Sequence, residues 1–291
     1  MYRRISVNFC GDILVDVFSS FMLRSNEVAI KVSHSYLSVT DVAFSKCSLV
    51  ASNRKALGSI AIGRVVDRGV SVEDVSEGSR AIGFVLMSPY YTSNLGGAQD
   101  IAVIDQYFVR EVKMDVYTDL EALLIAGLSV SKDVVDELKG KDVVLIGEDI
   151  SLLTFAYYAQ KYSCKVGIVP RYMFLGAKIV KGEHISLHSV KKTFDVVVLA
   201  VSDPAIACLA AKNLSKTKGS MLILYPGTQR FLPSICVDQD DAKIKVMGLG
   251  DLDLGIKVFE EYRDLLIQSL RILKPEELPK RLDKPSVIRF A

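Results

Sequence analysis

The sequence predicts an α/β protein built from an antiparallel β-barrel-like domain and a parallel, doubly wound sheet. Three observations carry that prediction. Short alternating or apolar runs broken by glycine fill the chain to about residue 113, strand and helix periodicities alternate from about Asp119 onward, and 291 residues exceed what one core usually holds.

In the first stretch, Val28–Val32, Ile62–Val66, Ala81–Leu86 and Ile101–Ile104 read as strands. Leu120–Leu128 and Val134–Leu138 then show helical spacing and lead into a strand at Val143–Ile146 and a helix over 152–161. Strands at Val166–Val169, Val196–Val201 and Met221–Tyr225 follow, with a helix over 205–213 between the last two. A strand at Ile244–Met247 and a helix around Leu254–Leu270 continue the alternation, and Val287–Phe290 reads as a last strand returning to the first domain.

Half of the residues are hydrophobic, enough for two cores, and the net charge is +2 from 36 basic and 34 acidic side chains without a long one-signed run. That balance gives no support to a nucleic-acid or membrane-surface partner. No apolar stretch approaches the ~20 residues that span a bilayer, and Met1–Ile5 does not open a signal peptide, so a cytoplasmic protein is expected. The five cysteines (Cys10, Cys47, Cys164, Cys208, Cys236) are scattered and odd in number, which suits reduced thiols better than a disulfide frame. Only three histidines are available as metal ligands.

Leu57-Gly58-Ser59-Ile60-Ala61-Ile62-Gly63-Arg64-Val65-Val66, followed by Gly69, Val72 and Gly78-Ser79-Arg80, resembles the medium-chain dehydrogenase/reductase family, where the segment reads G-H-E-x-x-G-x-V and then G-D-R. Gly96-Gly97-Ala98-Gln99-Asp100 with Ile101-Ala102-Val103 is similar to its G-G-x-A-E-Y strand, shifted by one residue, and Leu123–Ser129 to its L-L-C-A-G-L-T helix. Asp195–Val201 and Lys218–Met221 resemble a strand and turn late in its nucleotide domain. The resemblance implies a GroES-like β-barrel domain over 1–115 with the tail 271–291, and a Rossmann-type domain over 116–270, with a cleft between them. It also implies a homodimer through the edge strand Ile244–Met247.

Zinc-dependent members hold their catalytic metal with a Cys in a C-G-T-D-like run, the His of G-H-E, and a Cys or acid near the L-L-C-A-G helix. Here those positions carry Ser38, Ser59 and Ile125. A neutral hydroxyl is a poor zinc ligand and isoleucine offers no donor, so no zinc and no other metal is expected. The four-cysteine lobe of many relatives is also missing, and the pattern is most similar to the zinc-free reductases.

Zinc-free relatives still hold a nicotinamide coenzyme, and the turn after Val143–Ile146 is where its pyrophosphate would meet a helix N-terminus. Against the pattern G-x-G-x-x-G the chain offers Gly147, Asp149 and Leu152, so only the first glycine remains. Two readings of the acids stand. In one, Asp149 and Glu148 repel a phosphate, each like-charge contact at ~4 Å costing about 4 kcal/mol at an effective dielectric of ~20, against the roughly 8 kcal/mol of micromolar binding. In the other they cap the helix. After the next strand no acid is present to accept ribose hydroxyls; Arg171 there either pairs with the 2′-phosphate of NADP or is a solvated surface residue. Coenzyme contacts are expected at Gly147, Asp149, Ile150, Arg171 and Val201, with NADP(H) favoured.

Ser38, Thr40 and Ser59 would converge near the nicotinamide if the resemblance holds in three dimensions, and Thr40 falls where zinc members keep the hydroxyl that relays the alcohol proton. Tyr91, with Tyr90, could donate a hydrogen bond or stack on a substrate ring. Each of these hydroxyls also has an ordinary structural reading, as a buried group bonded to backbone or an exposed loop aromatic. His34 lies four residues before Ser38, with Asp41 as the nearest carboxylate in sequence, and His184 and His188 alternate like a strand or loop rather than forming a helical metal pair. The resulting expectation is a zinc-independent, NADP(H)-using oxidoreductase acting on a small carbonyl or quinone-like substrate. The alternative is a non-catalytic relative that kept the fold as a binding or assembly subunit.

Overall fold

The computed structural model describes residues 1–8, 11–50, 54–88, 96–113, 115–162, 164–173, 182–187, 193–214, 219–228 and 242–290. Two compact units emerge, Met1–Gly127 with Leu270–Ala291, and Leu128–Ser269. The division therefore falls after Gly127, not near residue 115. The cause is visible at the start of the helix Asp119–Leu128: Asp119 is tied to the first unit by Arg80 Nε at 2.7 Å and by the Ser33 hydroxyl at 2.5 Å.

The first unit runs β1 (Tyr2–Val7), β2 (Ile13–Phe18), β3 (Glu27–Leu37), α1 (Val39–Ser45), β4 (Lys55–Ala56), β5 (Ile60–Arg68), β6 (Arg80–Gly83), β7 (Ile101–Asp105), β8 (Val109–Glu111) and α2 (Asp119–Leu128). In the second unit come α3 (Lys132–Asp136), β9 (Val143–Gly147), α4 (Leu152–Lys161), β10 (Val166–Met173), β11 (Glu183–His184), β12 (Val196–Ala200), α5 (Pro204–Leu214), β13 (Ser220–Leu224), β14 (Ala242–Val246) and α6 (Leu252–Ser269). The chain then re-enters the first unit with β15 (Ile272–Leu273) and β16 (Ser286–Arg289).

In the first unit the long strand β3 is the spine: β5 pairs antiparallel along it, β7 pairs with Glu27–Lys31, and β16 pairs with His34–Leu37. The sheet order is β15-β16-β3-β5-β6-β8, and a smaller sheet has the order β2-β1-β4. The expected return of the C-terminal strand is thus seen as β16 on β3. The strand expected over Ala81–Leu86 stops at Gly83, and Val85–Met87 form a single 3₁₀ turn whose Leu86 N–H donates to Ser59 O at 2.9 Å.

The second unit is one parallel sheet of order β11-β10-β9-β12-β13-β14, all of its pairs parallel. Numbered within the unit this is the 3-2-1-4-5-6 order of dinucleotide-binding sheets, whose strand order reverses between the first and fourth strands, here β9 and β12. Every residue of β9, β12 and β13 is buried, as continuous apolar strands covered on both faces must be. Val144, Ile146, Val197, Leu199, Leu222 and Leu224 pack with Ala207, Ala210 and Leu214 of α5 to form one of these cores. Cys47 and Cys164 are free, whereas Cys208 on α5 is disulfide-bonded. The expectation of reduced thiols is corrected there: an odd count argues against a disulfide frame but permits one bridge. No helix among the described residues is long and apolar enough to cross a membrane.

Candidate functional site

The first unit gathers Ser38, Ser59 and Asp41 into one buried cluster. Ser38 caps α1: its Oγ accepts the Thr40 N–H at 3.1 Å while its own N–H donates to Asp41 Oδ2 at 2.9 Å, a reciprocal capping box. The Ser59 hydroxyl, just before β5, donates to the same Asp41 oxygen at 2.7 Å, and Gly58 N–H donates to Asp41 Oδ1 at 2.8 Å. Gly58 can aim its N–H there because its φ is +103°, and a Cβ would lie 2.2 Å from the Ala98 nitrogen. Ser38 and Ser59 stand 2.5 Å apart, oxygen to oxygen. With the Ser59 hydrogen on Asp41, that contact is left to the Ser38 hydrogen, and both hydroxyls are committed inside the protein.

That arrangement does not fit a catalytic zinc. Two neutral hydroxyls already bound to a carboxylate stand where thiolate or imidazole is needed, and Ile125, fully buried in α2, has no donor atom. Among the described residues no group of three or more His, Cys, Asp or Glu side chains converges. Thr40 differs from its neighbours. It is 1% exposed, and its Oγ1 has no hydrogen-bond partner among the described residues. A buried hydroxyl without a partner costs roughly 1–3 kcal/mol, so this one is out of the ordinary.

In the second unit β9 ends on Gly147, whose φ of +148° and whose approach to Ala200 exclude a side chain: a Cβ would sit 2.1 Å from the Ala200 oxygen. The Glu148 N–H donates to that oxygen at 2.9 Å, which closes the bend against the end of β12. Asp149 is fully buried and its Oδ1 accepts the Ser151 N–H at 3.1 Å, while its carbonyl accepts Leu152 N–H at 3.2 Å. Ile150, also fully buried, continues the turn, its carbonyl accepting Leu153 N–H at 3.0 Å. The aspartate side chain is thus turned back onto the backbone just ahead of α4, whose N-cap is Ser151, and it consumes an amide that a phosphate would otherwise receive. Val201, after β12, is 3% exposed, and its carbonyl accepts the Thr228 hydroxyl at 3.2 Å. Bend, topology and buried turn fit a dinucleotide; the charge at Asp149 opposes it.

Other candidates fall elsewhere. Tyr90, Tyr91, His188 and the Arg171 side chain lie outside the described residues; the Arg171 backbone belongs to β10. His184 sits in the two-residue strand β11, as its alternating surroundings suggest. The carboxylate nearest His34 is not Asp41 but Asp119, reached through Ser33, whose Oγ is 3.4 Å from His34 Nδ1. Burial pushes the His34 pKa below its ordinary value; Asp119 raises it and Arg289 lowers it further. Asp41 as organiser of the serine pair was missed in the sequence, although Ser38-Val39-Thr40-Asp41 carries the S-x-x-D signature of a capping box.

No model of a known protein family matches the sequence, and no curated protein does. Solved structures match along the whole length. The quinone oxidoreductase of Coxiella burnetii is similar with a TM-score of 0.64 at 14% identity, covering 100% of this chain and 99% of that one. That of Pseudomonas syringae pv. Tomato gives 0.64 at 15% identity over 99% and 100% of the two chains. The CAD protein of Helicobacter pylori, solved with NADP(H), gives 0.63 at 12% identity over 99% and 97%. The fold is therefore the one anticipated from the motifs, a GroES-like β domain with a Rossmann-type sheet.

Proposed function

We propose that this chain is a zinc-independent oxidoreductase that uses NADP(H) to reduce a small carbonyl or quinone-like compound. One observation carries the reading: the dinucleotide-type sheet keeps its bend, Gly147, at the strand-order reversal between β9 and β12. The similarity to quinone oxidoreductases and to an NADP(H)-bound protein supports the same reading. Gly147, Ile150 and Val201 would line the coenzyme and Arg171 would meet its 2′-phosphate, while Asp149 lies at the pyrophosphate turn as the group that weakens binding. When bound, NADPH supplies a hydride for the substrate carbon. The matching proton goes to the substrate oxygen, and Thr40 is the hydroxyl assigned to donate it, because its Oγ1 has no partner among the described residues. Ser38 and Ser59, spoken for by Asp41, orient the start of α1 instead of meeting substrate. Tyr91 is retained as a substrate contact. Ile244 and Val246 on the edge strand β14 are 48% and 38% exposed, which supports a homodimer through that edge.

The test is a thermal-shift titration with NADPH and NADH, followed by loss of NADPH absorbance with a panel of small quinones and carbonyl compounds. A binder is stabilised once coenzyme exceeds its dissociation constant. Stabilisation by NADPH more than NADH, with turnover of one panel member, is the expected result. No shift at millimolar coenzyme overturns the reading and favours the second one, a non-catalytic subunit that kept the fold for binding or assembly. The observation behind that second reading is the capture of the Ser151 amide by Asp149.

A further inference from the structure

Within the second unit a cavity of about 320 Å³ is bounded by α3, the C-terminal half of α4 and the start of α6. This is the size of a small-molecule pocket. Its floor is Val135, Tyr158 and Leu254, which are 1%, 6% and 7% exposed. Around the rim stand the exposed lysines Lys132, Lys161 and Lys257.

Charge pairing separates these lysines from their neighbours. Lys139 and Lys141, close by in sequence, are bound to Asp136 at 2.8 Å and Glu137 at 3.1 Å. No carboxylate lies within ion-pair distance of Lys132, Lys161 or Lys257 among the described residues; Lys161 instead lies 5.8 and 5.9 Å from the ring centroids of Tyr157 and Tyr158. Two acids also line the cavity. Asp251, whose Oδ1 accepts Leu254 N–H at 3.2 Å as the cap of α6, and exposed Asp253 are the opposing charges. Three cations against two anions give a modest positive excess.

The second observation is Tyr158 itself. Its ring packs against Tyr157 at 5.0 Å and Tyr162 at 5.9 Å, yet its hydroxyl makes no hydrogen bond to any described residue. The hydroxyl itself is not sealed from solvent, so it can bond to whatever enters the cavity. Burial raises the phenol to about 12, so it remains a proton-bearing donor at neutral pH. A floor that is apolar and aromatic, a rim of unpaired ammonium groups and one unused donor describe complementarity to a flat, singly charged anion. A phosphate dianion would meet twice the repulsion from Asp253 and would leave the floor uncovered.

We propose that this cavity binds a small aromatic carboxylate, its ring on the Val135–Tyr158–Leu254 floor and its carboxylate held by the rim lysines and the Tyr158 hydroxyl. The site is independent of the coenzyme reading, since it uses the opposite end of α4. The test titrates the full chain with benzoate, inorganic phosphate and benzylamine, read by calorimetry and by amide chemical shifts. Benzoate is expected to bind saturably at millimolar concentration, with shifts confined to α3, the end of α4 and the start of α6. Lys161→Ala with Lys257→Ala should weaken it about tenfold, the equivalent of one charge-assisted hydrogen bond. Tyr158→Phe, which keeps the ring and the packing, should weaken it about fivefold. Absence of saturation by about 10 mM benzoate, equal binding of benzylamine or of phosphate, or unchanged affinity in both variants each overturns the assignment.

Discussion

Asp41 and Asp149 are both fully buried aspartates at the start of a helix, and they do different things. Asp41 receives donors from three places in the chain, Ser38, Gly58 and Ser59, and knits α1 to the strand that follows. Asp149 receives the Ser151 N–H two residues ahead, within the turn before α4. The first carboxylate is structural to its surroundings, so the hydroxyls beside it cannot be turned to a metal without dismantling them. The second is an addition to a turn whose bend survives. A site can be closed by a network or merely obstructed by one side chain, and the cost of reversing the two differs accordingly.

The sharpest way to break this comparison is to delete each carboxylate. Asp41→Ala strands two N–H groups and a hydroxyl in the interior and should cost about 3–5 kcal/mol of stability by denaturant unfolding. A loss below about 1 kcal/mol would mean the cluster is not a network at all. Next in size is Gly147→Ala, where a Cβ 2.1 Å from the Ala200 oxygen must force the bend open; about 3 kcal/mol is expected. Thr40→Val keeps the shape and removes the unpartnered hydroxyl, so unfolding should show no loss and up to about 1 kcal/mol of gain, while turnover falls roughly a hundredfold. Stability lost together with activity would return Thr40 to a structural role.

A smaller effect is expected with pH. The folded-state pKa of His34 is depressed, so between that value and the ordinary one the unfolded chain binds more protons than the native one. Stability is therefore fully present above about 6.5 and is lost as pH falls through the folded-state value. His34→Gln should flatten that acid limb, measured as melting temperature against pH; an unchanged limb assigns it to other groups.

Much of the fold was legible because it is written in local runs. Val143–Ile146 and Val196–Val201 are apolar throughout, and they became fully buried parallel strands with the expected bounds to within a residue. Tyr2–Val7 was not legible: it carries Arg3 and Arg4, whose neutralising partners Asp100 and Asp16 arrive only through the fold, at 3.0 and 3.3 Å. Helix α1 was hidden for another reason. Ser38-Val39-Thr40-Asp41 was compared with a metal-ligand motif, and that comparison obscured the capping signature in the same four residues. At Asp149 the sequence left capping and obstruction open; the side chain accepts the Ser151 N–H, and Ser151 itself is the N-cap of α4.

The most direct measurement is the NADPH affinity of the unaltered chain beside that of Asp149→Gly, by calorimetry at matched salt. Relief of one charge contact and return of the Ser151 amide should tighten binding about tenfold or more, over a weak but measurable affinity in the unaltered chain. If neither protein binds NADPH at millimolar concentration, or if the glycine variant binds no better, the turn is not an obstructed coenzyme site and the account of this protein as an oxidoreductase fails.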